Sequence, residues 1–196
     1  MTSKILKRAG CFGVVILIAL SIIGAGIVSA YGYSAFARTA RCPQQLADYN
    51  PSILPIDWPI DVQPFTMPAF DEVHFPSRDT HIELSGFYVP AKQQSVASTV
   101  IIVHGLSGCK RQIMALLPAG MLHRHGFNVL LVDLRNMGDS DSDNDFHAGG
   151  TKEYKDVLGA WDWLISEKGA KPEQIGLFGY SLGAATVLIT AGQEQR

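Results

Sequence analysis

The sequence is short of cysteine and of charge. It has three cysteines in 196 residues, and charged residues make up 17% of a chain that is 47% hydrophobic. Three thiols are too few for a disulfide-built scaffold. So little charge beside so much apolar content excludes a solvated, disordered chain and leaves one globular domain as the expectation. Basic excess is missing too: 16 Lys and Arg stand against 18 Asp and Glu, for a net charge of −2. Nucleic acid is therefore not an expected partner. No internal repeat is visible. The most informative gap lies between Ala9 and Ala37, where no charged residue occurs.

That gap is filled with Val, Ile, Leu, Ala and Gly, and it is long enough to span a bilayer. Lys4, Lys7 and Arg8 precede it with no acidic residue among them. The positive-inside rule then predicts a cytoplasmic N-terminus, with everything after Tyr33 carried across. Residues 1–37 are read as a membrane anchor in contact with the membrane through residues 9–37. A cleaved signal peptide is the alternative, since Val28-Ser29-Ala30 and Ala35-Phe36-Ala37 both resemble cleavage sites. Cys42 and Cys109 fall together on the exported side, where they form either one bridge or two free or buried thiols. Arg38 and Arg41 read as ordinary interface residues.

Six of the ten prolines lie between Cys42 and Phe70, so neither a helix nor a central strand can persist there. Residues 38–70 are predicted to be a stiff spacer, with Trp58, Phe65 and Phe70 packing part of it on the domain beyond. From residue 71 the pattern becomes that of an α/β domain. Residues 71–75 and 81–89 form an expected antiparallel hairpin, with Ile82, Leu84 and Gly86 alternating against polar neighbours. Residues 99–103 and 127–132 are expected as buried strands and 175–178 as a third. A helix over 111–125 places Ile113, Leu116, Leu117 and Met121 on its apolar side, and a second covers 152–168 before Gly169. A third begins at Leu182.

Gly179-Tyr180-Ser181-Leu182-Gly183 matches G-x-S-x-G, which thrusts a serine out of a sharp turn and needs small residues two places either side. The pentapeptide alone is a short match. Its placement between a strand and a small-residue helix is the context the chemistry requires. His104-Gly105-Leu106-Ser107-Gly108 ends the strand 99–103 and is expected at the same rim, where the amide of Leu106 or Ser107 pairs with that of Leu182 to bind an oxyanion. His123, His125 and His147 read as surface or helix-end residues. Asp139, Asp141, Asp143 and Asp145 alternate like a calcium loop, but Asn144 and Gly150 stand where glycine and glutamate are needed. No metal and no cofactor are expected; the loop reads as acidic and solvated.

VIIVHGLSG, VLLVDLRNMGDS and IGLFGYSLGAA occur in the order and spacing of the α/β-hydrolase superfamily, which residues 71–196 resemble. The resemblance implies a mostly parallel sheet with helices on both faces. It implies Ser181 as nucleophile, the amides of Leu106 and Leu182 as oxyanion hole, and His104, Gly105, Gly179 and Gly183 as supporting loop residues. Asp133, Arg135, Gly138 and Ser140 match a structural D-x-R-x-x-G-x-S loop, in which Asn136 departs from the common D-x-R-G. The base follows serine and acid in the family order, so His104 is not expected to be the base. The remaining triad members are expected beyond Arg196, with this chain read as a truncated hydrolase domain; a coding sequence read past Arg196 is expected to supply them. The expected activity is hydrolysis of a small-molecule carboxylic ester or related acyl compound through an acyl-serine. The alternatives are a membrane-tethered binding module on a hydrolase scaffold and a nonfunctional fragment.

Overall fold

The computed structural model describes residues 2–54, 59, 61–79, 81–92 and 97–194. It divides into two units, Met1–Arg38 and Thr39–Arg196. The first is a helix, α1 (Thr2–Ala37). Its stretch Val14–Ala37 has a mean hydropathy of 2.5. At 1.5 Å per residue it is about 36 Å long, enough for a hydrocarbon core. Its large side chains are bare, with Ile22 67% and Val28 71% exposed, which is costly in water and costs nothing in lipid.

The second unit is built on a five-stranded sheet in the order β1-β2-β4-β3-β5. Its strands are β1 (Asp71–Pro76), β2 (Glu83–Val89), β3 (Thr99–Val103), β4 (Asn128–Val132) and β5 (Ile175–Gly179). β1 and β2 form the expected antiparallel hairpin, β2 runs antiparallel to β4, and β3 lies parallel between β4 and β5. Three helices cover it: α2 (Ile113–Arg124), α3 (Tyr154–Lys168) and α4 (Leu182–Glu194).

Both faces of the sheet are filled, and strand alternation sorts the residues between them. Ile101, Val103, Leu130 and Val132 join Val157, Ala160 and Leu164 of α3 and Leu182 of α4 in one cluster. Ile102, Val129 and Leu131 join Ala115, Leu116 and Ala119 of α2 in the other. The alternation expected in β2 is absent: every residue from Leu84 to Val89 is buried, because the strand is internal and Phe87 and Val89 meet the second cluster.

One other expectation is corrected. The buried face of α2 is Ala115, Leu116, Ala119, Gly120 and His123, while Met121 is 49% exposed. Small residues are needed there because another backbone crosses the helix: a Cβ on Gly120 would lie 2.1 Å from the Phe65 carbonyl oxygen. That backbone belongs to the proline-rich segment, part of which packs on the domain as its aromatic residues implied. Met67 is fully buried, and Phe70 packs edge-on against Phe87 at 5.2 Å. Thr39 N–H donates to Asp145 O (2.8 Å) and Met67 N–H to Pro51 O (2.7 Å). Cys42 is bridged to Cys109. Proline stiffness here serves a strap wound onto the domain. Trp58 lies outside the described residues.

Candidate active site

The register of β3 decides what meets at the rim. Val103 is opposite Val132 of β4 on one side and Gly179 of β5 on the other. The loops leaving these strands therefore begin level with one another, and His104, Asp133 and Tyr180 start from adjacent points. This is the carboxyl end of the parallel strands, where α/β sheets place their sites.

Ser181 is the joint between β5 and α4. It is exposed, and its φ is +53°. A left-handed serine costs energy and persists only where its surroundings dictate it. Here the dictation comes from two glycines. A Cβ on Gly179 would lie 2.4 Å from Gly183 O, and one on Gly183 would lie 2.3 Å from Val103 O. Strand end and helix start thus touch backbone to backbone, and the serine is squeezed outward between them. Leu182 opens α4, so its N–H has no intrahelical acceptor.

The loop of His104 through Gly108 lies against this turn. A Cβ on Gly105 would be 3.2 Å from Ser181 Cβ and 3.2 Å from Tyr180 Cε2. Gly108 N–H closes the loop on Gly105 O at 3.0 Å, and Ser107 has φ +52°. His104 is fully buried. Leu134 N–H donates to its Nε2 (3.2 Å), so the proton sits on Nδ1, which donates to Gly105 O (2.7 Å). Burial pushes its pKa below the ordinary 6.5. Neutral, and with both nitrogens occupied, His104 holds the loop. His123, expected at a surface or helix end, is at the end of α2 but buried, against Pro90 O at 3.1 Å.

Behind the loop lies a group with no sequence signature. Lys110 is completely buried; its Nζ donates to Asp133 (2.7 Å), Asp139 (2.6 Å) and Ser85 Oγ (3.0 Å), and its N–H to Asp133 (2.6 Å). Burial works to raise the pKa of Asp139, but Lys110 and Arg111 outweigh it and hold it below the usual value. A lysine after Gly-Cys looks like a surface residue in sequence. Only the fold shows it enclosed.

The D-x-R-x-x-G-x-S loop is pinned throughout. Gly138 has φ +56°, and a Cβ there would lie 2.1 Å from the Asp133 carboxyl carbon. Ser140 Oγ donates to Asp133 O at 2.7 Å. Arg135 clasps Asp156 (2.7 Å) and Asp79 (2.7 Å). Burial lowers its pKa, but these carboxylates more than offset it and keep the guanidinium charged. Asn136 adopts φ +66° and its Oδ1 accepts from Asp143 N–H at 2.6 Å, so the departure from glycine anchors the next turn. The acidic stretch is accordingly engaged as well as solvated: Asp139 pairs with Lys110 and Arg111, and Asp141 accepts from Glu83 N–H at 2.9 Å. Arg41 donates to the carbonyls of Gly138 and Ser140. Among the described residues no group of three or more His, Cys, Asp or Glu is placed to hold a metal.

Two clefts lie away from the serine. One of about 610 Å³ is lined by Thr99, Asn128 and Gln174 at the opposite, amino ends of the parallel strands. The other, about 280 Å³, lies between Pro76 and Trp163. Neither touches the site chemistry.

A family model described as the alpha/beta hydrolase fold matches residues 98–196. The chain belongs to that family. Among curated relatives, the thiohydrolase aneE of Aspergillus aculeatus is 31% identical over 97 residues, covering 50% of this chain and 30% of its own. The polyketide transferase ATR5 of Stachybotrys chlorohalonatus is 29% identical over 126 residues, covering 64% and 41%. Among solved structures, the Pyrococcus furiosus esterase Pf2001 matches with a TM-score of 0.56 and 25% identity over 72% of this chain and 51% of its own. The chain thus spans between 30% and 51% of the lengths of these relatives.

Proposed function

We propose that Ser181 is the nucleophile of a serine hydrolase that cleaves a carboxylic ester or related acyl compound through an acyl-serine intermediate. The observation that carries this reading is the left-handed, exposed Ser181, held between two glycines that admit no side chain. A merely structural turn has no use for a strained serine aimed outward. The relatives named thiohydrolase and esterase support acyl cleavage as the reaction class.

In this reading Ser181 Oγ attacks the acyl carbonyl carbon and its proton passes to a general base. The carbonyl oxygen becomes an oxyanion bound by the amides of Leu182 and Leu106. Collapse expels the alcohol or thiol, which takes the proton back from the base, and leaves the acyl group on Ser181; water, giving a proton to the same base, then attacks the acyl-serine, and the carboxylic acid leaves as Ser181 Oγ recovers its proton. His104 is not the base, since its nitrogens are engaged within the loop. By the family order the histidine and its acid follow Ser181 in the whole protein. The bridged Cys42 and Cys109 suit an oxidising compartment, and α1 suits a single-pass anchor with its N-terminus in the cytoplasm. The hydrolase domain then works outside the cytoplasmic membrane.

A fluorophosphonate probe is expected to label the whole protein at Ser181, and Ser181→Ala to abolish labelling, as mass spectrometry of the labelled peptide would show. Labelling elsewhere, or undiminished in Ser181→Ala, would sink the assignment.

A further inference from the structure

We propose that the Cys42–Cys109 disulfide is a redox-sensitive positioning element for the loop His104 to Gly108. Closed, it holds the loop against the Ser181 turn. Opened by a dithiol reductant, it lets the loop drift and slows chemistry at Ser181 while the sheet stays folded. The effect on Ser181 rests on the function proposed above; the effect on the loop does not.

Cys109 directly follows Gly108, the tightest point of the loop. A Cβ at Gly108 would lie 2.8 Å from Gly105 O, 2.9 Å from Gln112 Oε1 and 3.0 Å from His104 Nδ1. Movement at Cys109 is therefore passed to Gly105, which borders Ser181. The other end of the loop is fixed from inside by His104. Ser107, at φ +52°, sits between these two ends in a conformation that non-glycine residues keep only when both sides constrain them. Removing one constraint lets that residue relax.

The damage is confined because neighbouring ties do not depend on the bridge. The strap stays docked through Thr39 to Asp145, Arg41 to the carbonyls of Gly138 and Ser140, and Arg111 Nη1 to Tyr49 O (3.1 Å). One residue past the bridge, Lys110 remains bound to Asp133. Freedom gained on opening thus falls on residues 105–109.

Access is one-sided. Cys109 is fully buried, whereas Cys42 is only half-buried in the strap. The reductant's thiolate attacks Cys42 Sγ and expels Cys109 Sγ as a thiolate, which takes up a proton. The second thiol of the reductant then closes on the mixed disulfide and releases Cys42, also protonated. Two electrons pass from the dithiol, which leaves as a disulfide, to the bridge.

The test uses the whole protein, with the triad residues proposed to follow Ser181, in detergent, oxidised or treated with dithiothreitol. Hydrogen exchange is followed at the amides of residues 105–108 and of β3, and fluorophosphonate labelling at Ser181. On reduction, exchange at Gly108 is expected to accelerate at least tenfold and labelling to slow at least threefold, with β3 still protected. Cys42→Ser should show both changes without reductant, and Cys11→Ser should behave as the natural chain. Unchanged exchange at Gly108 would overturn the proposal, as would equal loss of protection in β3, which would make the bridge a fold staple. If Ser181 labels in neither redox state, the hydrolase reading fails, and exchange at Gly108 still decides whether the bridge positions the loop.

Discussion

At His104 a charge has nowhere to go. Protonation would put a second hydrogen on Nε2, facing the Leu134 N–H that now donates to it, inside a fully buried site. The unfolded chain takes up this proton near pH 6.5, while burial holds the folded value lower. The unfolded state therefore binds more protons between the two values, and stability is full above pH 6.5 and declines as pH falls through that interval. His123, also lowered chiefly by burial, adds in the same direction. Thermal midpoints of the natural chain should fall between pH 7.5 and 5, and those of His104→Gln should fall less steeply. Parallel profiles would show that the His104 proton is not linked to folding.

The helices and loops divide differently between what sequence shows and what it hides. Strands β3 and β4, the hairpin and the glycine-framed turn at Ser181 were legible because each rests on local chemistry: β-branched runs, a polar turn, two glycines around a serine. The buried face of α2 was not legible, since its position is set by the Phe65 backbone reaching over Gly120 from far away in sequence. The strap was legible in part: its aromatic residues implied packing on the domain, as Phe70 shows, but proline content reports stiffness and not what the rest of the segment lies against. Lys110 belongs to the same class of long-range facts. Its ammonium balances Asp133, itself without exposure, and Asp139. Removing one partner leaves a buried charge uncompensated, which costs about 3–5 kcal/mol. Lys110→Met is expected to lower unfolding stability by about that amount, read from the shift in urea midpoint by tryptophan fluorescence. A shift of a few tenths would mean that water or Arg111 replaces the ammonium.

Taken whole, the molecule joins a helix suited to lipid to a domain suited to water. The chain is expected to fractionate with membranes and to resist extraction by alkaline carbonate. Under the proposed topology, protease added from outside should digest the chain beyond Arg38 while the N-terminus stays protected. Recovery of a soluble form that begins at Arg38 would replace the anchor with a signal peptide. The bridge has a mechanical consequence for such an arrangement. It spans 67 residues of sequence, from Cys42 to Cys109. A pull through the N-terminal helix meets Thr39 and Arg41 first, where hydrogen bonds to Asp145, Gly138 and Ser140 share it. At Cys42 a shorter covalent route crosses through sulfur to Cys109 and enters the core beside Lys110, where two carboxylates hold the chain.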